Sequence, residues 1–179
     1  MDRAFVSEAW TNLIDKKCWY NALDEANEAV DQTLLDTGVN RFGKKVDIQG
    51  YDINPEVIPV ARENAERAGV DKIVHLQVRD IANFSHSGKF GYILTNPPYG
   101  ERIEDKKNLP ALYTQIGDRF KALDSWSAFI ITSYEDVEKY MGRKADKNRK
   151  IYNGMMKTYF YQFLGPKPPR RKTGDQVEA

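Results

Sequence analysis

Three observations predict an α/β protein built on a mostly parallel sheet. Short apolar runs of β type alternate with segments of helical period, each run stops on a polar residue, and the helical segments are bounded by Asn, Pro and Gly. Sheets of this kind bind ligands beyond the carboxyl ends of their strands, so the polar residues at those ends are the first candidates for function.

The first forty residues predict helix, because Trp19, Ala22, Leu23, Ala26, Ala29 and Val30 recur at three- and four-residue steps and form one apolar stripe. After Thr37-Gly38-Val39-Asn40 and the basic Gly43-Lys44-Lys45, the run Val46 to Tyr51 alternates as a strand does and stops at Asp52. A helix should follow, with Asn54 as cap, Pro55 at its first position, Glu56 at the positive end of the dipole and Gly69 past its last turn. Val57, Ile58, Ala61, Ala65 and Ala68 would be its buried face. A second strand runs from Ile73 to Val78 ahead of Asp80, and a third from Tyr92 to Thr95 leads into Asn96-Pro97-Pro98-Tyr99. Leu112 to Leu123 reads as helix and Ala128 to Thr132 as a buried strand. Thr158 to Phe163 reads as a last strand after the Asn153-Gly154 turn. The tail 166–179, proline-rich and basic before its polar end, has no periodicity and is expected to be flexible, which leaves 1–165 as one domain.

Composition narrows the function classes. With 27 basic and 26 acidic residues the net charge is +1, so any surface for nucleic acid must be local. One cysteine, Cys18, admits no internal disulfide, and with His75 and His86 it makes no metal-ligand pattern, so no metal is expected. No stretch has the length of a membrane span or the apolar core of a signal peptide, and the expected location is the cytoplasm.

Asn96-Pro97-Pro98-Tyr99 is the most informative stretch. Two prolines after a strand end hold the backbone extended, so that the Asn96 side-chain oxygen and the Pro97 carbonyl can face one spot. Two acceptors on the hydrogens of an exocyclic base amine favour a pyramidal nitrogen with an available lone pair. Tyr99 would stack on that base, a contact of about 1–3 kcal/mol, and hold it in near-attack geometry. Asp52 suits the two hydroxyls of a ribose, and Asp80 could accept from the amino group of an adenine. Taken singly, Pro-Pro is a turn and either aspartate is a cap. At successive strand ends, the three are hard to explain as caps and turns.

Tyr51-Asp52-Ile53-Asn54, Arg79-Asp80-Ile81 and Thr95-Asn96-Pro97-Pro98-Tyr99-Gly100-Glu101-Arg102 resemble successive motifs of the class I S-adenosylmethionine-dependent methyltransferases, in the branch that makes N2-methylguanosine in 23S ribosomal RNA. Members of that branch usually carry an RNA-binding THUMP domain. The likeness extends to Arg3-Ala4-Phe5-Val6-Ser7-Glu8-Ala9-Trp10, Ile151-Tyr152-Asn153-Gly154 and Tyr161-Gln162-Phe163, covering about residues 3 to 165. It implies a Rossmann-like sheet, with Asp52 and Ile53 at the cofactor ribose, Asp80 and Ile81 around its adenine, and Asn96 to Tyr99 on the target base, Asn96 also lying beside the cofactor. Gly100-Glu101-Arg102 favours this branch over enzymes that methylate adenine N6 in DNA or a glutamine amide in protein, which share the four-residue motif.

One departure stands out. The family places a glycine-rich turn after its first strand, where the backbone approaches the methionine part of the cofactor, and here Gly38, Gly43 and Gly50 are scattered with no Gly-x-Gly before Asp52. The expectation is a partial catalytic domain whose partners include an upstream first-motif and THUMP segment, inactive alone, with open sheet edges that favour self-association. A non-enzymatic RNA-binding or scaffold piece is the contrasting expectation. The basic run Lys139 to Lys150 could contact RNA phosphates but reads first as a solvated face, and the aromatic residues Tyr152, Tyr159, Phe160, Tyr161 and Phe163 read as core and sheet residues rather than a stacking platform.

Overall fold

The structure, a computed structural model, describes residues 13–30, 32–40, 43–99, 103–153 and 155–169. The expectations placed on Arg3 to Trp10, Gly100 to Arg102, Gly154 and the tail beyond 169 lie outside the described residues. The chain divides into two compact units, Met1–Asp80 and Ile81–Ala179.

The first unit carries helix α1 (Lys16–Glu28), helix α2 (Gln32–Thr37), strand β1 (Ile48–Asp52), helix α3 (Val57–Arg67) and strand β2 (Val74–Val78). Asp15 opens α1 by accepting the Lys17 amide at 2.7 Å. The expected stripe on α1 is not buried. Trp19 and Leu23 are half-covered, Ala22 and Ala26 are exposed, and no residue of the helix belongs to a core. Strands β1 and β2 pair in parallel, Ile48 opposite Val74 through Asp52 opposite Val78. Asn54 caps as expected in kind but not in place. Its side chain accepts the Glu56 amide at 2.9 Å and its carbonyl the Val57 amide at 3.2 Å, so a turn through Pro55 and Glu56 precedes the helix proper. Gly69, at φ +67°, ends α3 in the left-handed conformation. Ile58, Ala65 and Ile73 are buried, and the Arg62 guanidinium donates to the Leu76 carbonyl at 2.8 Å. Val57, expected on the buried face, is exposed, lying one residue around the helix from the Ile58, Ala61 and Ala65 stripe.

The second unit opens with a 3₁₀ turn, Ile81–Asn83. It continues with strand β3 (Tyr92–Thr95), helix α4 (Ile103–Lys121), strand β4 (Ser127–Thr132), helix α5 (Val137–Met141) and strands β5 (Lys147–Asn153) and β6 (Met156–Phe163). Its sheet runs β3-β4-β6-β5. β3 and β4 are parallel, and β6 lies antiparallel to both β4 and β5, so three strands share one direction and β6 alone opposes them. One face of this sheet, through Ala128, Ile130, Tyr161 and Phe163, packs with Leu109, Tyr113 and Ile116 of α4 and Val137 and Met141 of α5. The helices touch closely: a Cβ on Gly117 would stand 2.2 Å from the Tyr140 carbonyl oxygen. Trp126 anchors the loop before β3, donating from its indole to the Gly88 carbonyl at 2.7 Å. Asp146 accepts the Leu164 amide at 2.8 Å and pairs with Arg143 at 2.9 Å, and Arg143 also reaches the Leu164 carbonyl.

One expectation on layout changes: helix α4 begins at Ile103 rather than Leu112, with Pro110 inside it. The strands form two sheets, since no strand among the described residues joins β1 to β3, which fits a mostly parallel sheet that lacks its first strand. Strands β1 and β3 each have one partner, β2 and β4 respectively, so each has one edge open among the described residues. No helix of the described residues is long and apolar enough to cross a membrane.

Candidate active site

All three predicted clusters sit where their strands end. Asp52 is the last residue of β1 and is half-buried, while Ile53 beyond it is 68% exposed. One Asp52 carboxylate oxygen accepts the Asn54 amide at 2.8 Å, which fixes the turn. A carboxylate has about four acceptor positions, so the turn leaves Asp52 able to take the hydroxyls of a ribose. Asp80 follows β2 by two residues and is half-buried. The parallel register brings these two strand ends side by side, and the Arg79 amide donates to the Asp52 carbonyl at 2.9 Å. The Arg79 guanidinium lies 4.7 Å from the centre of the Tyr51 ring, a cation–π contact that braces the same corner. Ile81, expected beside an adenine, is half-buried and packs against the core of the second unit.

Asn96 follows Thr95, the last residue of β3. Its side chain is exposed, Pro97 behind it is buried, Pro98 is exposed and Tyr99 is half-buried. The buried Pro97 pins the loop while its neighbour faces out. Tyr99 does not stand open as a bare stacking platform: its hydroxyl donates to the Asn96 side-chain oxygen. That oxygen has a second lone pair, so the bond orients the amide without exhausting it.

Behind the loop lies an arrangement that sequence reasoning missed. Tyr113 of α4 is fully buried, and its hydroxyl is 2.6 Å from that of Thr132, the last residue of β4. Thr132 in turn accepts the Tyr134 amide at 3.0 Å, and the Tyr113 and Tyr134 rings lie 4.8 Å apart. Burial pushes the Tyr113 phenol up to about 12, and the nearby Tyr99 adds to the rise, so this hydroxyl stays protonated and acts as a support rather than a base. Nothing in the local spacing announces this, since Tyr113 and Thr132 are 19 residues apart. A groove of about 430 Å³ between α3 and β2, lined by Arg62, Glu66, Asp71, His75 and Gln77 among others, includes none of the predicted site residues.

Within each unit the parallel strands carry these residues at their carboxyl ends, β1 with β2 and β3 with β4, and β6 is antiparallel, a strand pattern that fits the Rossmann-like class I methyltransferases. The pattern of the RMKL-like methyltransferase domain family (UPF0020) matches residues 3–162. This chain belongs to that family. A Bacillus subtilis (strain 168) protein, YpsC, named as a candidate RNA methyltransferase, is 36% identical over 171 residues, which are 96% of this chain and 42% of that protein. The ribosomal RNA large subunit methyltransferase K/L of Shewanella baltica (strain OS185) is 33% identical over 147 residues, 82% of this chain and 20% of that one. The crystal structure of SMU.472, described as a candidate methyltransferase in complex with SAH, superposes with a TM-score of 0.73 at 35% identity, covering 94% of this chain and 42% of that chain. The chain therefore spans less than half the length of these relatives.

Proposed function

We propose that this chain holds the nucleoside-binding and target-base residues of an S-adenosylmethionine-dependent methyltransferase whose substrate is N2 of guanosine in 23S ribosomal RNA. The observation that carries this is the Asn96 amide, exposed at the end of β3, oriented by the Tyr99 hydroxyl and backed by the buried Pro97. The relatives named for ribosomal RNA support the substrate class, and the cytoplasm follows as the compartment of such a substrate.

Asp52 fits the ribose of S-adenosylmethionine by position and spare acceptor capacity, with Ile53 beside it, and Asp80 and Ile81 are assigned to the adenine. The cofactor supplies a methyl group on a positively charged sulfur. Asn96 and the Pro97 carbonyl accept the two amine hydrogens of the flipped base, which localises the lone pair on nitrogen. S-adenosylmethionine, held at its ribose by Asp52, would supply an electrophilic methyl group to that lone pair, and the surplus proton of the base nitrogen would pass to water. No strong base is required, which agrees with the protonated Tyr113 behind the site.

The methionine end of the cofactor has no glycine-rich turn to cradle it in this sequence, so the chain alone is proposed to transfer methyl groups slowly or not at all. The test is transfer of a labelled methyl group to unmodified 23S ribosomal RNA, read by mass spectrometry of nucleosides. It compares this chain with a chimera preceded by the upstream part of YpsC. The chimera should form N2-methylguanosine, and Asn96→Ala should cost it about 10²–10³-fold in rate, as removal of one catalytic hydrogen-bonding group does elsewhere. Methylation of adenine in DNA or of a protein glutamine instead would overturn the substrate and keep the amine chemistry. An unaffected Asn96→Ala chimera would overturn the site.

A further inference from the structure

The hairpin of β5 and β6 turns a segment read as solvated charge and core aromatics into two distinct faces. Residues 147–163 carry Lys147, Arg149, Lys150 and Lys157 and no acidic residue, in a chain whose net charge is only +1. The pairing sets Lys150 opposite Tyr159 and Tyr152 opposite Lys157, so these four side chains share one face in a diagonal pattern. The Lys150 ammonium lies 5.0 Å from the centre of the Tyr152 ring, and that of Lys157 lies 5.0 Å from the Tyr159 ring. Tyr152 is 61% exposed, Lys150 and Lys157 are exposed, and Tyr159 is half-buried where the face meets the core. The Lys150 ammonium holds the Tyr152 phenol below its usual range, and Glu135 is the acid that reaches Lys157.

Register places this quartet at the functional end of the sheet. β6 is antiparallel, so its beginning lies at the edge where β3 and β4 end: Thr95 sits opposite Ile130, and Thr132 opposite Tyr159. Counting strands about 4.8 Å apart and residues about 3.3 Å apart, Tyr159 and Tyr152 stand roughly 12 and 20 Å from Thr95. A few nucleotides of an extended strand bridge that distance. The face offers what single-stranded nucleic acid needs, cations for phosphates and a ring for stacking.

We infer that the face formed by Lys150, Tyr152, Lys157 and Tyr159 holds the single-stranded RNA that flanks the target base, phosphates on the two lysines and one base on Tyr152. This rests on the RNA substrate proposed above and names the surface that receives it. A plain alternative exists, since lysines on an edge strand such as β5 also discourage edge-to-edge pairing.

Fluorescence anisotropy of the full chain with a labelled unstructured twelve-nucleotide RNA, across a salt series, separates the two. Lys150→Gln with Lys157→Gln should weaken binding about tenfold or more and lower the slope of log K against log salt by about 1.4, as loss of two phosphate contacts on a single strand requires. Tyr152→Ala should weaken binding about tenfold with the slope unchanged, because stacking releases no counterions. Each variant is compared at an unchanged melting temperature. The proposal is overturned by a double variant that binds with wild-type affinity and slope, including one that merely self-associates, as edge protection predicts. It is also overturned if the wild-type chain does not bind the RNA, or if polyglutamate competes as well as RNA does. The two readings fail independently: anisotropy reports binding of the flanking strand whether or not a methyl group is transferred, and methyl transfer by the chimera at saturating RNA reports the target-base loop whether or not the lysines are present.

Discussion

Among the described residues, Ile81–Ala179 bury eleven apolar side chains, from Leu109 to Phe163, where Met1–Asp80 bury three, Ile58, Ala65 and Ile73. The second unit has a four-stranded sheet with α4 and α5 on one face, and the first has two strands with α3. Two strands are marginal by themselves, whereas three or more with a covered apolar face sustain a fold. The difference assigns the work. The loop proposed for the target base, Asn96 to Tyr99, stands on the well-packed unit, and Asp52, proposed for the ribose, stands on the thinly packed one. Ligand sites drawn from less stable elements gain order from what they bind.

Breaking the stronger unit should have the largest effect. Phe163 is fully buried against Phe120 and Tyr161, so Phe163→Ala should cost about 3–5 kcal/mol, read by urea unfolding. A cost under 1 kcal/mol would show that this core is not the stable one. In the weaker unit, Ile58→Ala should cost about 2 kcal/mol, near the low end for such truncations, because a thin layer collapses around the gap. Hydrogen exchange should then speed up in β1 and β2 and stay unchanged in β4 and β6. Equal acceleration in all four strands would mean that the two units unfold as one.

The smallest expected effect sharpens the comparison at the sheet's end. The Leu164 amide, helped by Arg143, holds the Asp146 carboxyl below its usual 3.8. As pH falls the unfolded chain therefore takes up that proton first. The contribution is complete above about pH 4 and fades as the pH drops below 3.8 through the folded value. Asp146→Asn should destabilise the fold modestly at pH 7 and progressively less as the pH drops below 3.8, measured by chemical unfolding across that range. An equal cost throughout would assign the effect to packing rather than charge.

Strands and their polar ends were legible because apolar alternation and the Asn96-Pro97-Pro98-Tyr99 stretch are local signals. The first half of α4 was not, since Pro110 reads as a breaker and the residues before it lack apolar period. Strand β5 was hidden for a different reason. Lys147 through Tyr152 are all exposed, so no buried face imposes an alternation, and only pairing with β6 makes a strand of them. In the site, residue positions were readable and their partners were not. The Tyr99–Asn96 bond depends on side-chain rotation, and the Tyr113–Thr132 support depends on a helix and a strand that meet only after folding.

The antiparallel placement of β6 also has a kinetic meaning. β5 and β6 are joined by a turn of two residues, while β3 and β4 can pair only after the chain of α4 has been brought back across them. Closing a short hairpin takes roughly microseconds and gives up little chain entropy, whereas a parallel crossover must pay for a long loop before any contact rewards it. β5 and β6 are therefore able to pair before β3 and β4 do, and they offer β4 a ready edge on which the rest of that sheet can grow.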